Sequence, residues 1–260
     1  MIKLFRNIRL KLLTEGKTSN YLKYAIGEIV LVVFGILIAL QINNWNEDRI
    51  ARKQEVKYLR NLQADLNLEL INNDRMIAYR LSKANAALKL FQYQSPKEVA
   101  EAREFEKILG LVIEWVAFIP INNTYKELVS SGNFQFITSD SIKNQLMELD
   151  KLYSKIDIYE HHMRREYEQY LYDMVIPNTD AINFMNFDSA TDAEKLTETD
   201  RPQALLDKLI PQYDWLAKNT TFKNGLKLAV ANNMGLKVTH FKIKDHLNRL
   251  LKQIDQDLKK

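Results

Sequence analysis

The sequence predicts an all-α fold, an N-terminal transmembrane helix continuing into an elongated antiparallel helical bundle. Three observations carry this. Gly and Pro are scarce, at 7 and 5 of 260 residues, in a composition rich in Leu, Lys, Glu and Ala that favours helices. Apolar residues recur three or four positions apart over two long stretches, which is the helical period, and no strand-like alternation or internal repeat is present. Ala25–Ile42 is a nearly unbroken apolar run. Once the anchor is set aside, about 215 residues remain, enough for one good-sized core or two small ones.

The apolar run is the first element. A helix needs roughly 20 predominantly apolar residues to cross a hydrocarbon core about 30 Å thick. Glu28 and Gln41 are the strongly polar residues near its ends. Tyr21 and Tyr24 flank one end and Trp45 the other, as interfacial aromatic anchors do. Ser19 is a suitable N-cap. No pair of small residues of the cleavage-site type follows the run, so it reads as an uncleaved signal anchor over residues 19–45. Glu28 lies about 10 Å from the middle of the span at 1.5 Å per residue. An ionisable group at that depth is a functional hypothesis in itself. Glu28, Gly35 and Ile42 are spaced by seven, and Gly35-x-x-x-Ala39 is a small-xxx-small pair. Glu28, Gly35 and Ala39 thus mark a face for helix–helix contact inside the membrane. Glu28 reaching the headgroups beside Lys17 or Lys23, or facing an ion path, are the other two readings.

Before the run, residues 1–18 form a basic arm in which Leu4, Phe5, Ile8 and Leu12 share one helical face. This is the pattern of an amphipathic helix on a membrane surface. Residues 1–44 hold six basic residues against two acids, and the remainder is balanced at 31 of each. The basicity therefore points to anionic lipid headgroups at the arm and away from nucleic acid. Six Lys and Arg precede the span and five follow closely, a bias that places the N-terminus in the cytoplasm. With no cysteine in the chain, disulfides, thiolate metal sites and a Cys nucleophile are excluded.

The text from Tyr21 to Glu47, YLKYAIGEIVLVVFGILIALQINNWNE, resembles a family of uncharacterised bacterial membrane proteins. Those proteins, common in the Bacteroidetes lineage, carry a near-identical GEI-LVV-GILIALQINNWNE signature behind a basic N-terminus. A looser echo lies at Thr124-Tyr125-Lys126-Glu127-Leu128 and Ser130-Ser131-Gly132-Asn133. The resemblance implies a bacterial inner-membrane protein, single-pass, with a helical domain. It brings no activity and no catalytic residue.

Beyond the anchor, residues 46–260 are expected to form a periplasmic bundle. The first helix runs on from about Arg49 with the stripe Leu59, Leu62, Leu66, Leu70, Asn73, Ile77, Leu81, Ala84, Leu88 and Phe91, and ends at Ser95-Pro96. Glu98–Ile119 reads as the next helix. Its apolar part, Ile108–Ile121, is short for a second span. A short helix follows over Thr124–Ser130, closed by Gly132 in a left-handed conformation, with Phe134, Phe136 and Ile137 tucked onto the core. Ser139 or Asp140 caps a second long helix with the stripe Ile142, Leu146, Leu149, Tyr153, Ile156, Glu160, Met163, Tyr167, Tyr170 and Met174. It ends at Pro177. Asn178–Arg201 is a polar loop, long for a compact domain. Gln203–Ala217 is a helix that Pro211 kinks or divides. Thr220 or Thr221 begins a last helix with the stripe Leu236, His240, Ile243, Leu247, Leu250, Ile254 and Leu258.

Catalytic signatures are sparse. His161 pairs with Asp157, and His162 with Glu166, at i, i+4 spacing that could hold a metal. The two histidines face about 100° apart, which disfavours one shared ion. His240 falls on a core stripe, and His246 reads as exposed. Tyr153, Tyr159, Tyr167, Tyr170 and Tyr172 crowd one helix, as packing or as a pocket wall. Phosphate-loop, dinucleotide, HExxH and GxSxG motifs are absent. No catalytic residue, cofactor or metal is assigned. The leading function is a non-enzymatic interaction, scaffold or sensor-like subunit of an inner-membrane complex, with the bilayer and other membrane subunits or its own copies as partners. The alternatives are an oligomeric pore with Glu28 facing the lumen and a cryptic metal-dependent hydrolase around His161 and His162.

Overall fold

A computed structural model describes residues 18–180 and 203–259. The described residues are helical and contain no strand. The basic arm, most of the polar loop, and the side chains of Ser19, Tyr21 and Tyr24 lie outside what is described. Six helices are labelled in chain order: α1 Thr18–Gln92, α2 Val99–Ile113, α3 Asn123–Ser130, α4 Asp140–Tyr167, α5 Gln203–Lys218 and α6 Thr220–Asp257. The chain divides into two units between Lys57 and Tyr58, and α1 is one unbroken helix of 75 residues.

In the first unit, the helix is long and apolar enough to cross a membrane. Its apolar side chains are exposed, among them Ile29, Val33, Phe34, Leu37 and Leu40. Trp45 is exposed, Glu28 is half-buried, and Gly35 and Ala39 are exposed. Where the run ends, side-chain amides begin to pair along the helix. Asn43 donates to Glu47 at 2.7 Å and Arg49 to Asn46 at 3.1 Å.

The second unit is built on three heptad seams. On α1 the seam is Leu59, Leu62, Leu66, Glu69, Asn73, Met76, Arg80, Lys83, Ala87 and Leu90, with Tyr58, Ala84 and Ala86 buried beside it. On α4 they are Ile142, Leu146, Leu149, Tyr153, Ile156, Glu160, Met163 and Tyr167. On α6 they include Phe222, Leu226, Ala229, Asn233, Leu236, His240, Ile243, Leu247, Leu250, Ile254 and Asp257. Steps of three and four alternate along these seam positions in all three, the pattern that keeps one stripe facing its partners along a supercoil.

Cross-links between seams fix the directions. Asp74 meets Lys244 and Arg80 meets Asn233, so α6 is antiparallel to α1. Ser141 meets Gln253 and Glu166 meets Asn232, so α6 is antiparallel to α4 as well. Arg80 pairs with Glu160 and Glu69 lies against Tyr153, so α1 and α4 run parallel. Parallel neighbours need a long return, which α2, packed on α5, and the extended segment Glu114–Asn122 supply. Phe105 of α2 stacks on Tyr213 of α5 with ring centroids 4.9 Å apart.

Several local expectations hold. Ser139 caps α4, its hydroxyl accepting the Ile142 N–H at 3.4 Å. Gly132 adopts φ 73° after α3, Ile137 is buried and His240 lies in the core. Others are corrected. The second helix stops at Ile113, not Ile119, because the backbone from Glu114 turns extended and its polar groups are taken by side chains of α1 and by Glu160 of α4. Pro120 also disfavours helix at Ile119. The α1 stripe drifts after Leu66: Asn73 and Ala84 are buried as expected, but Leu81 and Leu88 are exposed while Met76, Arg80, Lys83 and Leu90 are buried. On α4, Leu171 and Val175 replace Tyr170 and Met174 at the core, since Glu168–Tyr172 is a π-helical turn that inserts one residue into the repeat. At the end of α6, Asp257 is buried in place of Leu258. Pro211 does not divide α5. His246 is buried, its Nε2 2.8 Å from the Gln145 carbonyl oxygen.

Candidate functional site

The buried seam of the second unit is interrupted by a polar layer. One apolar cluster is formed by Leu59 to Met76 of α1 with Ile142 to Met163 and Leu236 to Ile254. Another lies beyond Ala86, Tyr167 and Ala229. Between them sit Arg80, Lys83, Glu160 and Asn233, all buried. A buried polar group without a partner costs about 1–3 kcal/mol, so the bonds of this layer determine whether it can exist.

Half of them go to the backbone of Glu114–Asn122. An extended chain rises ~3.3 Å per residue against 1.5 Å in a helix, so this short segment passes almost three turns more of α1 than its own residue count. It has no sheet partner, and side chains of α1 stand in for one. Tyr79 donates its hydroxyl to the Glu114 carbonyl and accepts from the Val116 N–H, both at 3.1 Å. Lys83 donates to the Glu114 carbonyl. Arg80 donates to the Val116 carbonyl at 3.4 Å. Asn72 donates to the Ile119 carbonyl at 3.0 Å. Glu69 accepts from the Ile121 N–H at 2.7 Å and Asp65 from the Thr124 N–H at 2.8 Å. Tyr58 accepts from the Asn133 side-chain amide at 2.9 Å. Tyr58, Asp65, Asn72 and Tyr79 are each seven apart, one heptad position devoted to holding the returning chain.

At the centre, Arg80 forms an ion pair with Glu160 and reaches Asn233 at 3.4 Å. Glu160 also accepts the Phe118 N–H, at 3.2 and 3.1 Å from its two oxygens. Burial holds the pKa of Glu160 above the ordinary carboxylate value, and Arg80 offsets only part of this. A helical turn or two away, the Asn73 amide donates to the His240 carbonyl at 3.0 Å, and its oxygen lies 2.8 Å from His240 Nδ1. Because a carbonyl only accepts, the Asn73 oxygen must face the ring, and Nδ1 carries the proton. Burial, then Arg80, depresses the His240 pKa to about 4, so the ring is neutral at pH 7. The Phe118 ring meets it edge-on with centroids 5.0 Å apart.

Lys83 is a strongly perturbed base. Its ammonium nitrogen lies 4.7 Å from the Tyr167 ring centre, 5.5 Å from Trp115 and 5.8 Å from Tyr79. Burial, then Arg80, lowers its pKa to about 7. A narrow cavity opens between it and Tyr167, Leu171, Gly225, Asn232 and Asn233. This arrangement fixes a register and carries one amine that titrates near neutrality.

The residues singled out from the sequence fall elsewhere. Glu28, Gly35, Ala39 and Trp45 are on the first unit. His161 and His162 are exposed and paired with Asp157 at 3.5 Å and Glu166 at 3.3 Å. Among the described residues, no group of three or more His, Asp or Glu is placed to hold a metal ion. Of the tyrosines on α4, Tyr153 and Tyr167 are buried, whereas Tyr159 and Tyr172 are exposed. Glu69, Tyr79, Arg80, Lys83 and Asn233 are not among the residues that the sequence pattern selects. The seven-residue spacing of Tyr58, Asp65, Asn72 and Tyr79 is the signal that could have found the layer.

A family model described as a family of unknown function (DUF6090) matches residues 28–191, from the apolar run through α4 and past the end of its π turn. No curated protein and no solved structure matches the chain.

Proposed function

The chain belongs to the family of unknown function DUF6090, and from that premise we propose that it is a membrane-anchored, non-enzymatic subunit of a larger complex, sensor-like in build. It crosses a bacterial inner membrane once through Ala25–Ile42. The basic arm lies against anionic headgroups on the cytoplasmic side, and the helical unit stands in the periplasm. Glu28, Gly35 and Ala39 provide its contact with another membrane helix.

The observation that carries this reading is α1. One helix holds both the apolar run and the seam containing Glu69, Asn73, Arg80 and Lys83. Replacing a buried ion pair by well-packed apolar residues is often neutral or stabilising, so such a pair is poor evidence for stability and better evidence for register or switching. Here the pair sits in the helix that also forms the anchor. Most polar side-chain atoms of the layer and its neighbours are bonded to backbone and side-chain partners, with Glu69 Oε1, Arg80 Nε and His240 Nε2 left over, which favours a positioning role over a chemical one.

Purification of the full chain in mild detergent, with crosslinking beforehand, tests the assignment. A stable oligomer or a stoichiometric membrane partner is expected. A strictly monomeric, partner-free species would overturn the reading. A topology reporter fused after Lys260 is expected on the periplasmic side, and a cytoplasmic signal would reverse the orientation.

A further inference from the structure

The heptad seam of α4 breaks at one place. From Ile142 to Tyr167 the buried positions alternate by four and three; the next buried residues are Leu171, Val175 and Thr179. The shift occurs in the π-helical turn Glu168–Tyr172, a one-residue insertion in the helical repeat. Had the helix stayed regular, Tyr170 and Met174 would have faced inward. Both are large, both are apolar over most of their surface, and both are already half-buried. The sequence therefore carries two apolar stripes after Tyr167, one for each winding.

The neighbouring helix is shaped to the bulge. A Cβ at Gly225 of α6 would lie 2.7 Å from the Tyr170 carbonyl oxygen, 2.9 Å from the Tyr170 Cβ and 2.9 Å from a Leu171 methyl. Gly235, elsewhere on α6, has nothing within 4 Å of such a position, so the close approach is particular to the bulge. The small cavity beside Lys83 is walled by Tyr167, Leu171 and Gly225, so the exchange would repack its lining. Packed cores have discrete alternative arrangements rather than continuous ones.

We propose that the end of α4 is a two-register element: a bulged register, seated in the notch at Gly225, with Leu171 and Val175 inward, and a straight register with Tyr170 and Met174 inward. The exchange turns the helix by about 100° after Tyr167, whose ring lies against Lys83. It concerns the helical unit alone and stands or falls independently of membrane anchoring.

The absence of cysteine permits a direct test on the full chain in detergent. Single variants Tyr170→Cys and Leu171→Cys are alkylated with a water-soluble maleimide. In the parent background, position 171 should react at least about tenfold more slowly than 170, since a buried site reacts only as often as it opens. Gly225→Ala drives the carbonyl out of its notch and should reverse the order, with far-ultraviolet helicity unchanged. An unchanged order, or fast labelling at both positions, overturns the proposal. Deletion of Gln169 removes the inserted residue while keeping Leu171 and Val175 on the seam. That variant should fold with position 171 protected, and failure to fold overturns the proposal. If Gly225→Ala alone does not fold, combining it with the deletion should restore folding, and no restoration overturns the coupling between notch and bulge.

Discussion

Lys83 and Arg80 make opposite demands on the same core. In the unfolded chain Lys83 has its ordinary pKa of 10.5, and in the fold about 7. Between those values the unfolded state binds the extra proton, so stability rises with pH, and the contribution is lost as pH falls toward 7. Tyr79 and Tyr167, both with pKa raised by burial, act in the opposite sense only above about pH 9.5, where an unfolded tyrosine begins to ionise. Urea midpoints of the full chain are therefore expected to climb from pH 7 to 9. Lys83→Met should flatten that climb and raise stability at pH 7 by roughly 2 kcal/mol. A wild-type midpoint that is flat over this range would refute the account. Arg80 differs because its partner is a carboxylate. Arg80→Met leaves Glu160 buried and unpaired, a loss of about 3–5 kcal/mol. Adding Glu160→Gln should recover most of it, because the amide oxygen still accepts the Phe118 N–H. A double variant no more stable than the single would mean that the ion pair is not the source of the loss.

At the scale of the element, the extended segment Glu114–Asn122 is held by side chains rather than by a sheet. Each rung is separable. Asp65→Ala leaves the Thr124 N–H without its acceptor, and Asn72→Ala leaves the Ile119 carbonyl without its side-chain donor. Losses of about 1–3 kcal/mol for the first and about 0.5–1.5 kcal/mol for the more exposed second are expected, with hydrogen exchange at Thr124 accelerated by the first and not by the second. Equal effects of both on that amide would show that the segment detaches as one piece. This ladder also explains what can be read from the sequence. The seam from Ile142 to Tyr167 is legible because it is apolar apart from Glu160. On α1 a stripe of apolar residues runs through Leu70, Ile77 and Leu81 in preference to Glu69, Met76 and Arg80, and so drifts off the true heptad. Nothing local distinguishes a charged seam position from a surface one: Lys83 and Arg80 find Glu114 and Glu160 at separations of 31 and 80 residues. The turn at Glu168 is equally silent, since Tyr170 and Met174 satisfy the pattern as well as Leu171 and Val175. The helical continuation from Glu114 to Ile119 that the apolar run implies gives way to bonds whose partners sit on α1 and α4.

At the scale of the whole chain, the all-helical class and the long apolar helix needed only composition and length, because both are properties of averages. The family match, which begins at residue 28, takes in most of the apolar run. What averages cannot give is the division of labour along α1. Its apolar run has exposed side chains, and its later turns are buried among α4 and α6. If the first serves the bilayer and the second the core, substitutions should separate them. Phe34, exposed near the middle of the run, is the place for a charge: an Arg at a span centre costs roughly 2.5–3.5 kcal/mol of insertion. Phe34→Arg is expected to increase the fraction of chain released by alkaline carbonate while leaving the unfolding midpoint of the helical unit unchanged. Arg80→Met should do the reverse, lowering the midpoint with membrane retention intact. Carbonate extraction followed by urea titration of both variants measures the two effects side by side. Complete release of the wild-type chain by carbonate would remove the membrane-spanning assignment, because a peripheral protein is stripped by that treatment and a spanning helix is not.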